Sequence, residues 1–524
     1  MLNRPELSTR NLLALAGLLV LLAFFLQGDV GFSLADEGFL WYGTIRTALG
    51  EVPVRDFQSY EPGRYYWGAL WLKLLRNDGI MALRISQAVF QFAGLSLALL
   101  LLRRVVRSWT GLIFGAIILL RWMFPMWKVY EPVILIVAIY FAVLIIEEPS
   151  RVRHLAAGIF IGLAAFFGRN HGLYCGVAFV LLLVYLNWTS DKRLLLQRLG
   201  LLSIGVVIGY LPMLLMLAFV PGFREQFAAD ILFNLKYGTN LPLPVPWPWR
   251  QIDLSIGARE LINRITVGTL FLVLPAFYLF ALARLVFRRT SLHPVFIASA
   301  FLGAVYLHYT FARPQLYYIA WTIPPFILGL LASSSEHRKR VAIWCVLAVF
   351  TITALEFAQE NYFTIKVKSF AKAKLMRRYG GDFDQAMNAQ GLVKTDVRGD
   401  TVWILSDTAT MLNRFKPIEQ DLINSDEAIL IAPYLPGLYA VLQKRSPVWE
   451  IYFLFPRPGE EQKVMVQELE RKHVSWAFGC NHYVDDRREL EFYRTHSVLW
   501  EYVAENFNPV SLKIDPRCEL MHRQ

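Results

Sequence analysis

The sequence predicts a polytopic α-helical membrane protein of about eleven spans, followed by a small α/β domain on the outer side. Three observations carry this. Of 524 residues, 56% are hydrophobic and only 18% charged, where soluble domains carry roughly 45 to 50% apolar and about 25% charged residues. Eleven stretches are apolar over the length needed to cross hydrocarbon, about 20 residues or somewhat fewer where neighbouring helices shield the ends. Lys plus Arg outnumber Asp plus Glu 31 to 18 up to residue 357 and stand at 22 to 23 beyond it. The net charge of +12 therefore belongs to the apolar part. It reads as membrane topology and not as a nucleic-acid-binding face.

The apolar stretches run approximately 11 to 27, 80 to 102, 110 to 124, 129 to 146, 155 to 168, 171 to 187, 199 to 220, 265 to 287, 293 to 311, 315 to 332 and 341 to 357. The first follows Arg4 and Arg10 as a signal peptide would, but no small-residue cleavage site follows it, so it reads as a retained helix. Alternate loops collect Arg103, Arg104 and Arg107; Arg151 and Arg153; Lys192, Arg193 and Arg198; Arg284, Arg288 and Arg289; and Arg338, Lys339 and Arg340. The positive-inside rule puts these loops, and the amino terminus, in the cytoplasm. Eleven crossings then place the segment from about 358 outside. With it go two long loops, 28 to 79 and 221 to 264, and three short ones around Arg121 to Lys128, Arg169 to His171 and Arg313 to Gln315. The expected domains are thus a membrane part, 1 to 357, and an outer α/β part, 358 to 524.

In the outer part TVWILS (401 to 406), AILIA (428 to 432), VWEIYF (448 to 453) and VSWAFG (474 to 479) read as short buried strands, with helical runs at 460 to 472 and 488 to 504. Cys175 and Cys345 fall in apolar spans and read as core. Cys480 and Cys518 share the outer part, where an oxidising compartment allows a disulfide; spacing alone leaves it open.

Ionisable groups at mid-membrane cost at least about 2.5 to 3.5 kcal/mol each and mark proton and ion pathways. Here Arg84, His308 and Glu356 lie near span ends and most span centres are wholly apolar. That weighs against a charged translocation path and directs attention to the outer surface. The first outer loop is the richest in polar chemistry there. It carries the adjacent pair Asp36 and Glu37, then VPVRDF, then Glu61, Pro62, Gly63 and Arg64 at the start of an aromatic-rich helix. A carboxylate just outside a span can act as general base toward a hydroxyl. The alternative is that the pair caps and charges the helix containing Phe39, Tyr42 and Ile45.

The long first outer loop with its Asp-Glu pair, the segment GEVPVRDF and the helix PGRYYW resemble the GT-C glycosyltransferases, particularly the group of protein O-mannosyltransferases and lipid A aminoarabinose transferase. The resemblance implies a many-span fold with an outer domain and a polyprenyl-phosphate sugar as donor. It further implies sugar transfer with inversion at the outer face of a bacterial inner membrane, to a glycan, lipid or protein acceptor. By it Asp36 is the base and Glu37 orients it or helps bind the acceptor. Cations would stabilise the departing lipid phosphate. The candidates for donor phosphate or substrate binding are Arg169 and Arg313, in very short outer loops, with Arg64 and Lys128. Their polar neighbours Glu61, Asn170, His171, Gln315 and Tyr318 complete the candidate set for donor phosphate or substrate binding. Taken singly, each basic residue also fits an interfacial snorkelling role. The related pattern has an Arg with a downstream Asp and His where this chain has Arg313, Gln315 and Tyr318. Some GT-C branches hold a divalent ion, Mg or Mn, on carboxylates, and the sequence leaves metal open. The second long loop, with prolines at 242, 244, 246 and 248 and with Trp247 and Trp249, reads first as an interfacial anchor and second as a lid near Lys236 and Tyr237. Competing readings of the whole chain are a flippase for lipid-linked sugars and a non-catalytic envelope assembly protein.

Overall fold

The structure is a computed structural model describing residues 8–188, 192–238, 241–287, 292–334, 336–358, 362–376, 382–424, 426–481, 483–510 and 517–524. Arg4, Arg288 and Arg289, used above for topology, lie outside them. The chain forms two compact units: Met1–Phe25, Ile85–Val220 and Gly238–Thr364 make the first, and Leu26–Arg84, Pro221–Tyr237 and Ile365–Gln524 the second.

The first unit is helical, and every expected apolar stretch falls on a helix or a helix pair. Thr9–Gln27, Ile80–Val105, Tyr130–Glu147, Arg169–Leu186, Ala258–Phe287 and Pro294–Ala312 are each long and apolar enough to span a membrane. Lys192–Gly209 and Leu211–Phe219 together make a seventh, bent by 52°. Pro212, in the first turn after the break, lacks the N–H that would continue the helix. The other expected stretches are shorter or broken: Trp109–Trp122, Arg151–Phe167, the pair Leu316–Thr322 and Pro324–Ala332 divided before two prolines, and His337–Thr351 continued by Ile352–Glu356. The chain is a multi-pass membrane protein.

Two of these helices touch backbone to backbone. A Cβ on Gly158 would lie 2.1 Å from the Leu202 carbonyl, on Gly162 2.3 Å from that of Val206, on Gly205 2.3 Å from that of Leu155, and on Gly209 2.0 Å from that of Ile159. Two small-xxx-small repeats, GIFIG and GVVIG, thus let helices Arg151–Phe167 and Lys192–Gly209 approach without intervening side chains.

In the second unit the first long loop folds into helices Asp36–Ala48 and Pro62–Leu75. The carboxy-terminal part supplies β1 (Leu392–Val397) and β2 (Asp400–Leu405), an antiparallel hairpin turning at Arg398 and Gly399, both at positive φ as a tight hairpin turn requires. It also supplies a four-stranded sheet of β3 (Ile429–Ala432), β4 (Trp476–Cys480), β5 (Phe507–Pro509) and β6 (Cys518–Arg523), in the order β3-β4-β6-β5. Strands β3 and β4 are parallel, crossing over through helix Gly459–Arg471, and the remaining pairs are antiparallel. Leu430, Phe453, Leu469, Ala477, Phe492 and Leu499 centre its core. Cys480 and Cys518 face each other across β4 and β6 and are joined by a disulfide.

One strand expectation is overturned. VWEIYF forms no strand, because its backbone is bonded to the first loop instead. Gln58 Oε1 accepts from the Ile451 and Tyr452 N–H groups, and the Trp449 carbonyl accepts from Gln58 N–H. Strands β1, β5 and β6 went unforeseen; the last reads CELMHR, too polar to show as a buried run.

Candidate functional site

Helix Asp36–Ala48 begins at the acidic pair. Neither carboxylate caps it: Ala35 holds the N-cap position without a side-chain bond, and Ser33 Oγ accepts from Asp36 N–H at 3.1 Å. Both carboxylates still place negative charge in the positive first turn. Their surroundings differ sharply. Glu37 is 1% exposed and gives both oxygens to Arg84, to Nε and Nη2 at 2.7 Å each. Arg84 also donates to the carbonyls of Gly28 (2.8 Å) and Gly31 (2.5 Å), so this fork ties the chain entering the loop to the helix that leaves it. Asp36 is exposed, and its carboxylate makes no ion pair among the described residues. The pair therefore offers one accessible carboxylate and one structural one. A divalent ion held on two carboxylates does not fit, since Glu37's lone pairs face a guanidinium; among the described residues no three His, Cys, Asp or Glu side chains group as metal ligands.

The carboxy-terminal segment LPGLYAVLQKRS, residues 435 to 446, holds this helix. Gly437 N–H donates to the Leu34 carbonyl at 2.9 Å, and a Cβ on Gly38 would lie 2.6 Å from the Gly437 backbone, so only glycine fits at either position. The Tyr42 hydroxyl accepts from Ser446 N–H at 2.9 Å, and burial pushes its phenol up to about 12. Glu61 caps helix Pro62–Leu75 by position. Arg64, one turn inside, is 4% exposed, with its guanidinium 5.1 Å from the Tyr60 ring centre. It is packed within the loop, where a snorkelling residue would reach the headgroups.

The remaining candidates belong to the helical unit. Arg169, Asn170 and His171 form the first turn of Arg169–Leu186. His171 is fully buried, its Nδ1 3.2 Å from the Tyr306 hydroxyl and its ring edge-on to Tyr309 at 5.8 Å. Tyr309 in turn meets Tyr318 at 5.3 Å and Trp321 at 5.9 Å, and Lys128 Nζ stands 5.5 Å over the Trp321 ring. His171, Tyr318 and Lys128, far apart in sequence, are thus gathered around Tyr309 and Trp321. The sequence reading missed those two aromatics, whose signal was only their place near the loop that joins two apolar stretches. Arg313 ends helix Pro294–Ala312 and donates to the Leu241 carbonyl at 3.1 Å, tying the proline-rich loop to this end. Gln315 holds the N-cap position of the next helix, where its backbone carbonyl accepts from Tyr318 N–H at 3.1 Å. Trp247 and Trp249 of the proline-rich loop stack at 5.5 Å.

No family model matches the chain, and no curated protein matches it. Solved structures do. ArnT from Cupriavidus metallidurans, bound to undecaprenyl phosphate, is 14% identical and aligns over 97% of each chain with a TM-score of 0.55. An Archaeoglobus fulgidus oligosaccharyltransferase tethered to an acceptor peptide is 10% identical, over 96% of this chain and 72% of its own, with a TM-score of 0.45. The likeness to ArnT runs the full length of both chains. The chain has the fold of that ArnT structure.

Proposed function

We propose that this GT-C-fold chain is an integral membrane glycosyltransferase that takes a sugar from a polyprenyl-phosphate-linked donor and passes it to an acceptor at the outer face of a bacterial inner membrane. The observation that carries the reading is end-to-end likeness to a protein crystallised with undecaprenyl phosphate. The exposed Asp36, without an ion pair among the described residues, beside a buried Glu37 neutralised by Arg84 adds to it. In this reading residues 1 to 357 with loops 28 to 79 and 221 to 264 form the catalytic membrane part, and residues 358 to 524 lie outside the membrane.

The chemistry assigned to the residues is an inverting displacement. Asp36 takes the proton of the acceptor hydroxyl as its oxygen bonds to the anomeric carbon, and the bond from that carbon to the lipid phosphate oxygen breaks. The phosphate leaves with the electron pair, and cations offset its charge. Arg169, Arg313 and Lys128 are proposed for that role, with Arg313 also positioning the proline-rich loop through Leu241. Glu37 is proposed as a positioning residue. No step is routed through a metal.

The test is incubation of purified protein with a labelled polyprenyl-phosphate sugar and a cell-envelope extract in detergent, where no second compartment exists. Free lipid phosphate and a glycosylated product are expected. An intact donor that nevertheless crosses a vesicle bilayer in the protein's presence would replace the enzyme reading with a flippase.

A further inference from the structure

In the second unit, residues 52 to 57 fold into a tight turn. Asp56 Oδ2 accepts from Val52 N–H at 2.7 Å, the Val52 carbonyl accepts from Asp56 N–H at 2.9 Å, and Arg55 grips the same carboxylate with Nε and Nη2, both at 2.8 Å. Val54 lies at φ 74°, a left-handed conformation that a β-branched residue rarely adopts. Its carbonyl is held by the Trp449 indole N–H at 2.8 Å. Strain of this kind persists where its surroundings fix it, and it concentrates at binding sites.

The turn forms one wall of a cleft of about 240 Å³, with Arg445, Trp449, Glu468 and Lys472 among its other lining residues. That is below the roughly 300 to 1,000 Å³ of sites for drug-sized ligands and suits a single small ring. Its hydrogen-bonding capacity is one-sided. The Asp56 carboxylate already accepts the three bonds described, and the Glu468 carboxylate accepts from Arg471 Nε and Nη2 and from Lys472, so little acceptor capacity is left on either. Arg445 uses only Nε, on Glu51 at 3.0 Å; its two terminal amino groups have no acceptor among the described residues, and its side chain is 55% exposed. Lys472 donates to the Pro447 carbonyl at 2.5 Å and keeps a third of its side chain exposed. With its N–H committed to Val54, Trp449 presents only ring carbon. What the cleft has left to offer is cationic donors beside an aromatic surface, which matches a sugar ring carrying a negative charge. A neutral sugar would also need free acceptors for its hydroxyl protons.

We propose that this cleft binds one acidic sugar residue of the acceptor, a uronate or a sugar phosphate, with Arg445 and Lys472 on the anionic group and Trp449 against the ring. Its role as an acceptor subsite rests on the transferase reading; the binding itself does not. The test is saturation-transfer NMR on the full-length protein in detergent, with glucuronate, glucose 6-phosphate and glucose as probes. At least one charged probe should bind at least tenfold more tightly than glucose, and the preferred charged probe identifies the anion. Arg445→Gln and Lys472→Gln, both at half-exposed positions where folding is not at stake, should each weaken that probe about tenfold. Equal binding of glucose, no binding of any probe, or unchanged binding in both variants overturns the subsite. Donor turnover in the same samples reports on the transferase reading separately: turnover without probe binding removes the subsite alone, and probe binding without turnover removes its acceptor role alone.

Discussion

Asp36 and Glu37 are neighbours in sequence with opposite fates, and the helix explains why. Successive helical side chains point about 100° apart, so when Glu37 turns inward to Arg84 its neighbour is left facing out. Adjacency was legible in the sequence; the division of roles was not, because it depends on Arg84, 47 residues away. Asp36→Asn keeps the shape of the side chain and removes the base. Transfer should fall by about 10² to 10⁴ in rate, while binding of the lipid-linked donor, followed by quenching of protein fluorescence, is unchanged. Wild-type turnover in this variant would end the assignment. Glu37→Ala should act on stability instead. It strands a buried guanidinium, a loss of about 3 to 5 kcal/mol, to be read as a large drop in melting temperature; an unchanged melting curve would mean the fork is not structural. A third residue-scale expectation concerns acid. Burial works against the Asp56 carboxylate, but the Arg55 bonds and the Val52 N–H outweigh it and hold its pKa below the usual range. A depressed folded value contributes stability that is present above the ordinary carboxylate pKa of about 3.9 and is lost as pH falls toward the folded value. Wild-type protein should therefore lose more melting temperature than Asp56→Asn on acidification from about pH 5 to pH 3. Parallel curves for the two proteins would contradict this.

At the scale of elements, the membrane helices were the most legible part, because a long apolar run has few alternatives. Pairing was not. GIFIG and GVVIG stand in plain view as apolar sequence, yet only the structure shows the two glycine pairs against each other's backbone. Gly205→Val would bring two methyl groups into a contact where even a Cβ meets the Leu155 carbonyl at 2.3 Å. The helices must part, so we expect a loss on the order of 1 to 3 kcal/mol, seen as earlier thermal unfolding in detergent, with the paired change Gly158→Val giving no comparable further loss because the contact is already open. Independent, additive losses would show that the two glycines do not share one interface. VWEIYF teaches the converse. Its hydrophobic run satisfied the strand pattern, but backbone bonding decides, and Gln58 supplied bonds that a neighbouring strand would otherwise give. Likewise His171, Lys128 and Tyr318 were each visible as polar residues near span ends, while their convergence on Tyr309 and Trp321 arises from tertiary packing that local sequence does not encode.

For the molecule as a whole, charge and cysteine chemistry bear on the same question by independent routes. In the proposed orientation the carboxy-terminal part, with 22 basic against 23 acidic residues, lies across the membrane from the loops that carry the basic excess of the first 357 residues, 31 against 18. The pairing of Cys480 with Cys518 across β4 and β6 argues for the same side, since a disulfide persists where the compartment oxidises and is rare where glutathione and thioredoxin keep thiols reduced. Closing a loop over a separation of 38 residues should stabilise the four-stranded sheet by about 3 to 4 kcal/mol. Two measurements follow from one orientation. In cells denatured without reductant, Cys175 and Cys345, which are free in the fold, should accept a maleimide mass tag, whereas Cys480 and Cys518 should accept one only after reduction. Purified protein treated with reductant, or carrying Cys480→Ser, should unfold its carboxy-terminal part at lower temperature while the helical unit is unaffected. Reactive Cys480 and Cys518 in unreduced cells would put this domain in the cytoplasm, and with it Asp36 of the same compact unit, where a lipid-linked donor displayed on the outer face could not meet it.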